Sequence, residues 1–234
     1  MLWKFEFPRH KNGCWSIDMF TGNTGSGKSY TIGKAIEDAY DLGLRFTILD
    51  TKTKNHIGLA VLKGVKIIKI KPNYRYNLKR FLQYDQLIVI PSLKMPTERL
   101  IEEIYKPLLM YYFDYDSNRI LVIEEAHRYN PSSRRAGKEL DILHREGRGK
   151  NLYLIESTQR IATYPKDLFQ QIQRVYLFRH WMPNDKLYLR QLIPNFDELN
   201  DSLRPHDFIE FNTQTGEYRL IRREYIIRRT KHYG

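Results

Sequence analysis

At 234 residues the chain is long enough for one α/β domain with a well-buried core. A hydrophobic fraction of 41% beside 28% charged residues excludes a disordered protein, and no stretch approaches the ~18 apolar residues of a membrane span. The net charge of +12 points to a polyanionic partner, either nucleic acid or an acidic surface.

The N-terminal "MLWKFEFPRHKN" lacks the apolar h-region of a signal peptide, so a cytosolic protein is expected. A single cysteine, Cys14, excludes an internal disulfide framework and a cysteine-built metal site, and reads as a small core residue at the start of a strand. "CWSIDMFT" reads as that strand, followed by a helix over "KSYTIGKAIEDAYDLG" with Ile32, Ile36 and Ala39 on one face. "LRFTILD", "VKIIKI" and "QLIVI" are strands. "PTERLIEEIYKPLLMYYF" is a helix with proline early in its first turn. "RILVIEE" is the next strand. "SSRRAGKELDILHREG" is a helix with a serine cap candidate and a glycine stop at Gly147. "NLYLIES" and "RVYLFR" are further strands, "NDKLYLRQLI" is helical, and "DFIEFNTQTGEYRLIRREY" is a hairpin turning near Thr215-Gly216.

Strands and helices alternating this way predict an α/β fold, a mostly parallel central sheet flanked by helices. Residues 14–180 form the expected core and 181–234 a small C-terminal helical and β-hairpin appendage to the same domain. Positive charge concentrates in Lys63, Lys66, Lys69, Lys71, Arg75, Lys79 and Arg80, and again in Arg219, Arg222, Arg223, Arg228, Arg229 and Lys231. Both clusters are candidate nucleic-acid contacts. Lysines alternating with isoleucines in "VKIIKIKPNYR" equally suit an edge strand protected against aggregation.

Residues 22–29 read "GNTGSGKS", a full match to the P-loop pattern, preceded by an apolar strand and followed by an amphipathic helix. The glycines Gly22, Gly25 and Gly27 let backbone N–H groups turn inward around phosphate oxygens. The helix N-terminus adds partial positive charge. Lys28 is expected at the β- and γ-phosphates and the Ser29 hydroxyl on Mg²⁺. Asn23, Thr24, Ser26 and Tyr30 complete the nucleotide-binding set.

In "RILVIEEAHR" two glutamates follow four apolar residues, at the strand end where open α/β sheets bind their ligands. Glu124 is assigned to the metal side, with Ser29. Glu125 is assigned to the water that attacks the γ-phosphate. A pair that merely starts a solvated helix is the alternative. Paired carboxylates favour hydrolysis over transfer to a small acceptor, and the Asn-Lys-x-Asp guanine reader of GTPases does not occur. A small nucleotide kinase stays open only if "NPSSRRAGK" is its lid.

"VIEEAHRYNP", then "REGRGKNLYLIESTQR", then "PKDLF" resembles the HerA–FtsK superfamily of P-loop DNA-pumping ATPases, closest to its HerA-like branch. The likeness covers about residues 14–180, and at this length the family's free-standing members include viral genome-packaging ATPases. Many relatives have Asp-Glu where this chain has Glu124-Glu125. The resemblance implies a RecA/FtsK-like fold and Mg²⁺-dependent ATP hydrolysis at the interfaces of a homo-oligomeric ring, hexameric or pentameric. Such a ring would move double-stranded DNA with a possible capsid or portal partner, or else protein cargo. It implies an arginine finger offered to the neighbouring subunit, Arg148 or Arg145, both of which could instead complement a helix dipole. Gln159 would sense the γ-phosphate or lytic water, or else cap a turn. Arg134, Arg135 and Lys138, with Lys52 and Lys54, are candidate DNA contacts. His127 is a candidate relay between the ATP site and the DNA loop, or a satisfied helix residue.

Overall fold

The computed structural model describes residues 2–10 and 13–233. Nine runs of mainly β-branched and aliphatic residues pair into one sheet. They are β1 (Ile17–Thr21), β2 (Arg45–Leu49), β3 (Lys66–Ile70), β4 (Gln86–Pro91), β5 (Arg119–Ile123), β6 (Leu152–Thr158), β7 (Arg174–Leu177), β8 (Phe208–Asn212) and β9 (Tyr218–Ile221). Their order across the sheet is β9-β8-β7-β1-β6-β5-β2-β4-β3. The seven strands from β7 to β3 are parallel, and the β8–β9 hairpin joins them antiparallel through β7. This is the α/β fold with a mostly parallel sheet that the alternating pattern predicts. The central strands are buried on both faces, which is why "ILVI" and "LYLI" carry no polar alternation. The hairpin turns through Gly216 at φ 75°, beside the expected position. "VKIIKI" is an edge strand, with Lys66 and Lys69 exposed.

The helices are α1 (Lys28–Asp41), α2 (Thr97–Leu100), α3 (Lys106–Tyr115), α4 (Lys138–Glu146), α5 (Lys166–Phe169), α6 (Pro183–Leu192) and α7 (Phe196–Ser202). A π-helical turn, Ile101–Tyr105, joins α2 to α3 within the single helix expected there, and Pro96 stands just ahead of it at the N-cap. The helix expected to begin at a capping serine begins later, behind Gly137. Ser132 instead accepts a hydrogen bond from the Arg134 N–H in its own turn. That helix does end at Gly147, its C-cap residue, as expected. The chain runs on through a 3₁₀ turn, Gly147–Lys150, and the left-handed residue that ends it is Asn151 at φ 52°. The first strand starts at Ile17, not Cys14. Cys14 falls in a two-residue ladder, Arg9–His10 with Gly13–Cys14, and its side chain lies outside the described residues.

The sheet separates two hydrophobic cores. On one face Leu100, Ile104, Leu108 and Tyr112 from the α2–α3 helix join Leu140 and Leu143 of α4. On the other, Ile32, Ile36 and Ala39 of α1 pack with Trp3, Phe5 and Phe7. The N-terminal segment is extended and alternates, with Leu2, Lys4 and Glu6 exposed between those aromatics. Trp3 meets Phe208 edge-on at 5.5 Å, and the Trp3 backbone N–H donates to Tyr225 O at 2.8 Å, so the two chain ends brace one another. Asp18, buried within β1, keeps its charge satisfied through Arg174 at 2.6 Å and the Tyr153 hydroxyl at 2.7 Å.

Candidate active site

Parallel pairing sets the C-terminal ends of β1, β6, β5 and β2 side by side, with Thr21 opposite Thr158 and Ile123 opposite Leu49. The P-loop leaves β1 there. Gly22 adopts φ 149°, and a Cβ on it would stand 2.6 Å from Phe178 Cβ, so only glycine lets the chain turn under that ring. Gly27, at φ 107°, sits directly before α1 with the His206 ring against it. The Lys28 ammonium is buried and donates to the carbonyls of Gly22 at 2.7 Å and Asn23 at 2.8 Å, closing the loop on itself. Burial lowers its pKa to about 8 against the opposing pull of Glu124 and Glu125. Phosphate prefers the charged ammonium. Affinity for tripolyphosphate is therefore expected to hold below pH 8 and to fall up to roughly tenfold per unit above it, which titration calorimetry across that range checks.

The two glutamates diverge sharply. Glu124 is buried, with one oxygen 2.7 Å from His56 Nε2 and the other accepting the Ser157 hydroxyl. Burial alone would raise its pKa, but His56, Ser157 and Lys28 hold it down to about 2. Asp50, at the end of β2, is pushed up to about 7 by burial, against the pull of His56. Its Oδ2 and the His56 Nδ1 have no hydrogen-bond partner among the described residues. Ser29 and Glu124 line one cleft of about 270 Å³, and the Ser29 hydroxyl accepts from Asn55 Nδ2 at 3.3 Å. Hydroxyl and carboxylate oxygens suit Mg²⁺, which keeps most of its waters. Because both Glu124 oxygens already have partners, Glu124 fits a metal-bound water better than direct ligation.

Glu125 sits in the left-handed region at φ 56°, an uncommon conformation for a residue with a side chain. Its carboxylate accepts the Gln159 amide, and Gln159 Oε1 in turn accepts the Thr24 hydroxyl at 2.5 Å. Gln159, expected at phosphate or water, thus ties the P-loop tip to Glu125. His127 lies 3.4 Å from Glu125 and 3.1 Å from the Thr158 hydroxyl. Burial, with Arg128 and Arg160 nearby, lowers its pKa to about 4, so it is a neutral partner of Glu125 in a 3₁₀ turn.

Arg145 and Arg148 lie at the other end of β6. The strand's seven residues at ~3.3 Å each place them roughly 20 Å from Gln159, so neither serves its own cleft. Arg145 is exposed and paired with Asp141 at 2.7 Å, whereas Arg148 is exposed with its guanidinium 4.4 Å over Trp15. His144 and Glu156, from the same stretch of sequence, meet in the core at 2.7 Å, and the Tyr164 hydroxyl also donates to Glu156. This trio locks α4 to β6 and fixes where the arginines emerge.

Of the expected DNA contacts, Arg134, Arg135, Lys138 and Lys54 are exposed. Lys52, also exposed, lines the P-loop cleft. The lysine and arginine cluster of residues 63–80 is exposed and forms no ion pair among the described residues. The tail cluster is largely spoken for within the molecule. Arg219 pairs with Glu210, Arg222 with Asp207, Arg228 with Glu37 and Arg229 with Asp41.

The sequence matches no protein-family model and no curated relative. Solved structures do match. The genome packaging NTPase B204 of Sulfolobus turreted icosahedral virus 2, in complex with ATP-gammaS, is 17% identical with a TM-score of 0.66, over 88% of this chain and 97% of its own. A bacterial conjugative coupling protein, TrwBdeltaN70, is 9% identical at 0.66, over 88% and 84%. VirB4 of Thermoanaerobacter pseudethanolicus is 11% identical at 0.65, over 88% of each. The chain shares the α/β fold of these solved structures.

Within that fold the C-terminal segment supplies what the motifs do not reveal. It wraps α1, with the Arg229 and Thr230 N–H groups donating to the Glu37 carboxylate at 3.0 and 2.8 Å. Arg228 packs so tightly on Gly33 that a Cβ there would meet its guanidinium at 2.2 Å. His206, Arg223 and His232 consequently line the nucleotide cleft. No local pattern marks them, because their role depends on contacts about two hundred positions away in sequence.

Proposed function

We propose that this protein is a Mg²⁺-dependent ATPase that assembles into a ring, hexameric or pentameric, and moves double-stranded DNA to package a viral genome. The observation that carries the ATPase reading is the connected trio Thr24–Gln159–Glu125 at the mouth of the P-loop cleft. It links a candidate base to the loop that would hold the γ-phosphate.

Bound Mg²⁺, near Ser29 and a water on Glu124, would supply charge neutralisation of the β- and γ-phosphates. Phosphate oxygens would take the Lys28 ammonium from the Gly22 and Asn23 carbonyls it holds in the closed loop. Gln159 would then release Thr24 and turn its amide to the γ-phosphate. That frees the Glu125 carboxylate to orient the attacking water and accept its proton. Glu124, anchored by His56 and Ser157, stays ionised throughout.

The DNA reading rests on the likeness to a genome packaging NTPase over nearly its whole length, together with the net charge of +12 and the exposed cations of residues 63–80. Phosphate contacts of that kind bind without reading bases. A capsid or portal component is the partner such a motor would need. No described helix is long and apolar enough to cross a membrane, and the expected site of action is the cytoplasm, that of the host if the source is viral.

ATP hydrolysis measured with and without double-stranded DNA, across protein concentration and salt, tests this directly. Stimulation that fades with salt and specific activity that rises as rings assemble are expected. Activity linear in enzyme and indifferent to DNA would overturn the ring-motor reading.

A further inference from the structure

With the γ-phosphate end of the cleft marked by Glu125 and Gln159, the nucleoside must lie toward Tyr30, the residue that follows Ser29 into α1. That end is built largely from the C-terminal segment. The Arg223 guanidinium lies 4.1 Å over the Tyr30 ring and is fixed by donating to Ile226 O at 2.6 Å. His206 holds φ 69°, a strained conformation for a side-chain-bearing residue, with its ring against Gly27. One buried carboxylate, Asp207, sets both in place. It accepts the Arg204 N–H at 3.1 Å, the Arg222 guanidinium at 2.7 Å and the Arg223 N–H at 2.8 Å.

We propose that the C-terminal segment forms the pocket for the nucleobase, with Arg223 stacked on Tyr30 as one wall and His206 against Gly27 as another. This rests on the reading of the cleft as a nucleoside triphosphate site. A guanidinium plane and an imidazole offer flat, polarisable faces on which a purine can stack. Neither face requires a particular exocyclic group, so the pocket holds the base by stacking more than by reading it. Asp207 is a positioning residue, because it touches the walls and not the ligand.

Binding of ATPγS and of inorganic tripolyphosphate, which has no base, to Arg223→Ala and His206→Gly tests the assignment. Glycine at position 206 keeps the left-handed backbone available. Each variant is expected to weaken ATPγS about tenfold while leaving tripolyphosphate unchanged. Equal loss of both ligands would mean that these side chains act on phosphate, and unchanged ATPγS would mean that they do not touch the base; either result overturns the proposal. Should Arg223→Ala fail to fold, Arg223→Lys keeps the charge and removes the planar face, and the same comparison applies. Wild-type protein that binds neither ligand would instead sink the nucleotide reading itself. Lys28→Ala, expected to lose both ligands, separates that failure from failure of the base pocket.

Discussion

Glu125→Gln is expected to bind ATP and to hydrolyse it ~10²–10⁴-fold more slowly than wild type. Glutamine keeps the shape of the side chain and can still hydrogen-bond Gln159 once that amide turns over, so the cleft should stay assembled. It cannot accept a proton from water. The left-handed backbone at position 125 aims the side chain into the cleft, which is why the change should reach turnover without disturbing the P-loop. Single-turnover hydrolysis beside equilibrium binding of ATPγS checks this. Loss of binding in step with turnover would assign Glu125 to holding the nucleotide. The adjacent change makes the contrast, because Glu124 is buried between His56 and Ser157 and its loss leaves their polar atoms without a partner.

Arg148→Ala is expected to retain ATP binding and to lose roughly 10³-fold or more in turnover, the range found for fingers in other phosphoryl-transfer enzymes. Its place at the far end of β6 from its own cleft suits the proposed role toward a neighbouring subunit. Arg145 is engaged by Asp141 on the same helix face, whereas Arg148 rests on Trp15. Mixing Arg148→Ala with Glu125→Gln subunits gives the decisive measurement. An arginine acting across the interface restores activity at those junctions where an intact arginine meets an intact glutamate. Mixtures with no activity beyond the two variants alone would remove Arg148 from this role and turn attention to Arg145.

The parts of this protein that depend on neighbours in sequence were readable from the sequence. Buried parallel strands are continuously apolar, amphipathic helices repeat every three or four residues, and the P-loop is a contiguous arrangement of glycines, lysine and serine. That "GNTGSGKS", Glu124, Glu125 and Gln159 belong to one cleft was therefore legible in the sequence. The glycine stop of α4 stands at Gly147, whereas the serine cap failed because the helix begins a few residues later, behind Gly137.

What only the tertiary structure decided is how distant charges and polar groups find one another. His56, from the loop after β2, and Ser157, near the end of β6, hold Glu124; His144 and Glu156 close the core between α4 and β6; and the tail's arginines meet Glu37 and Asp41 on α1. A basic cluster in sequence carries no information about whether its counter-ions lie in solvent, in a nucleic acid or elsewhere in the same chain. Sequence patterns encode local periodicity and loop chemistry; pairing across the sheet, which places His206 and Arg223 at the nucleotide cleft, is set by topology and packing.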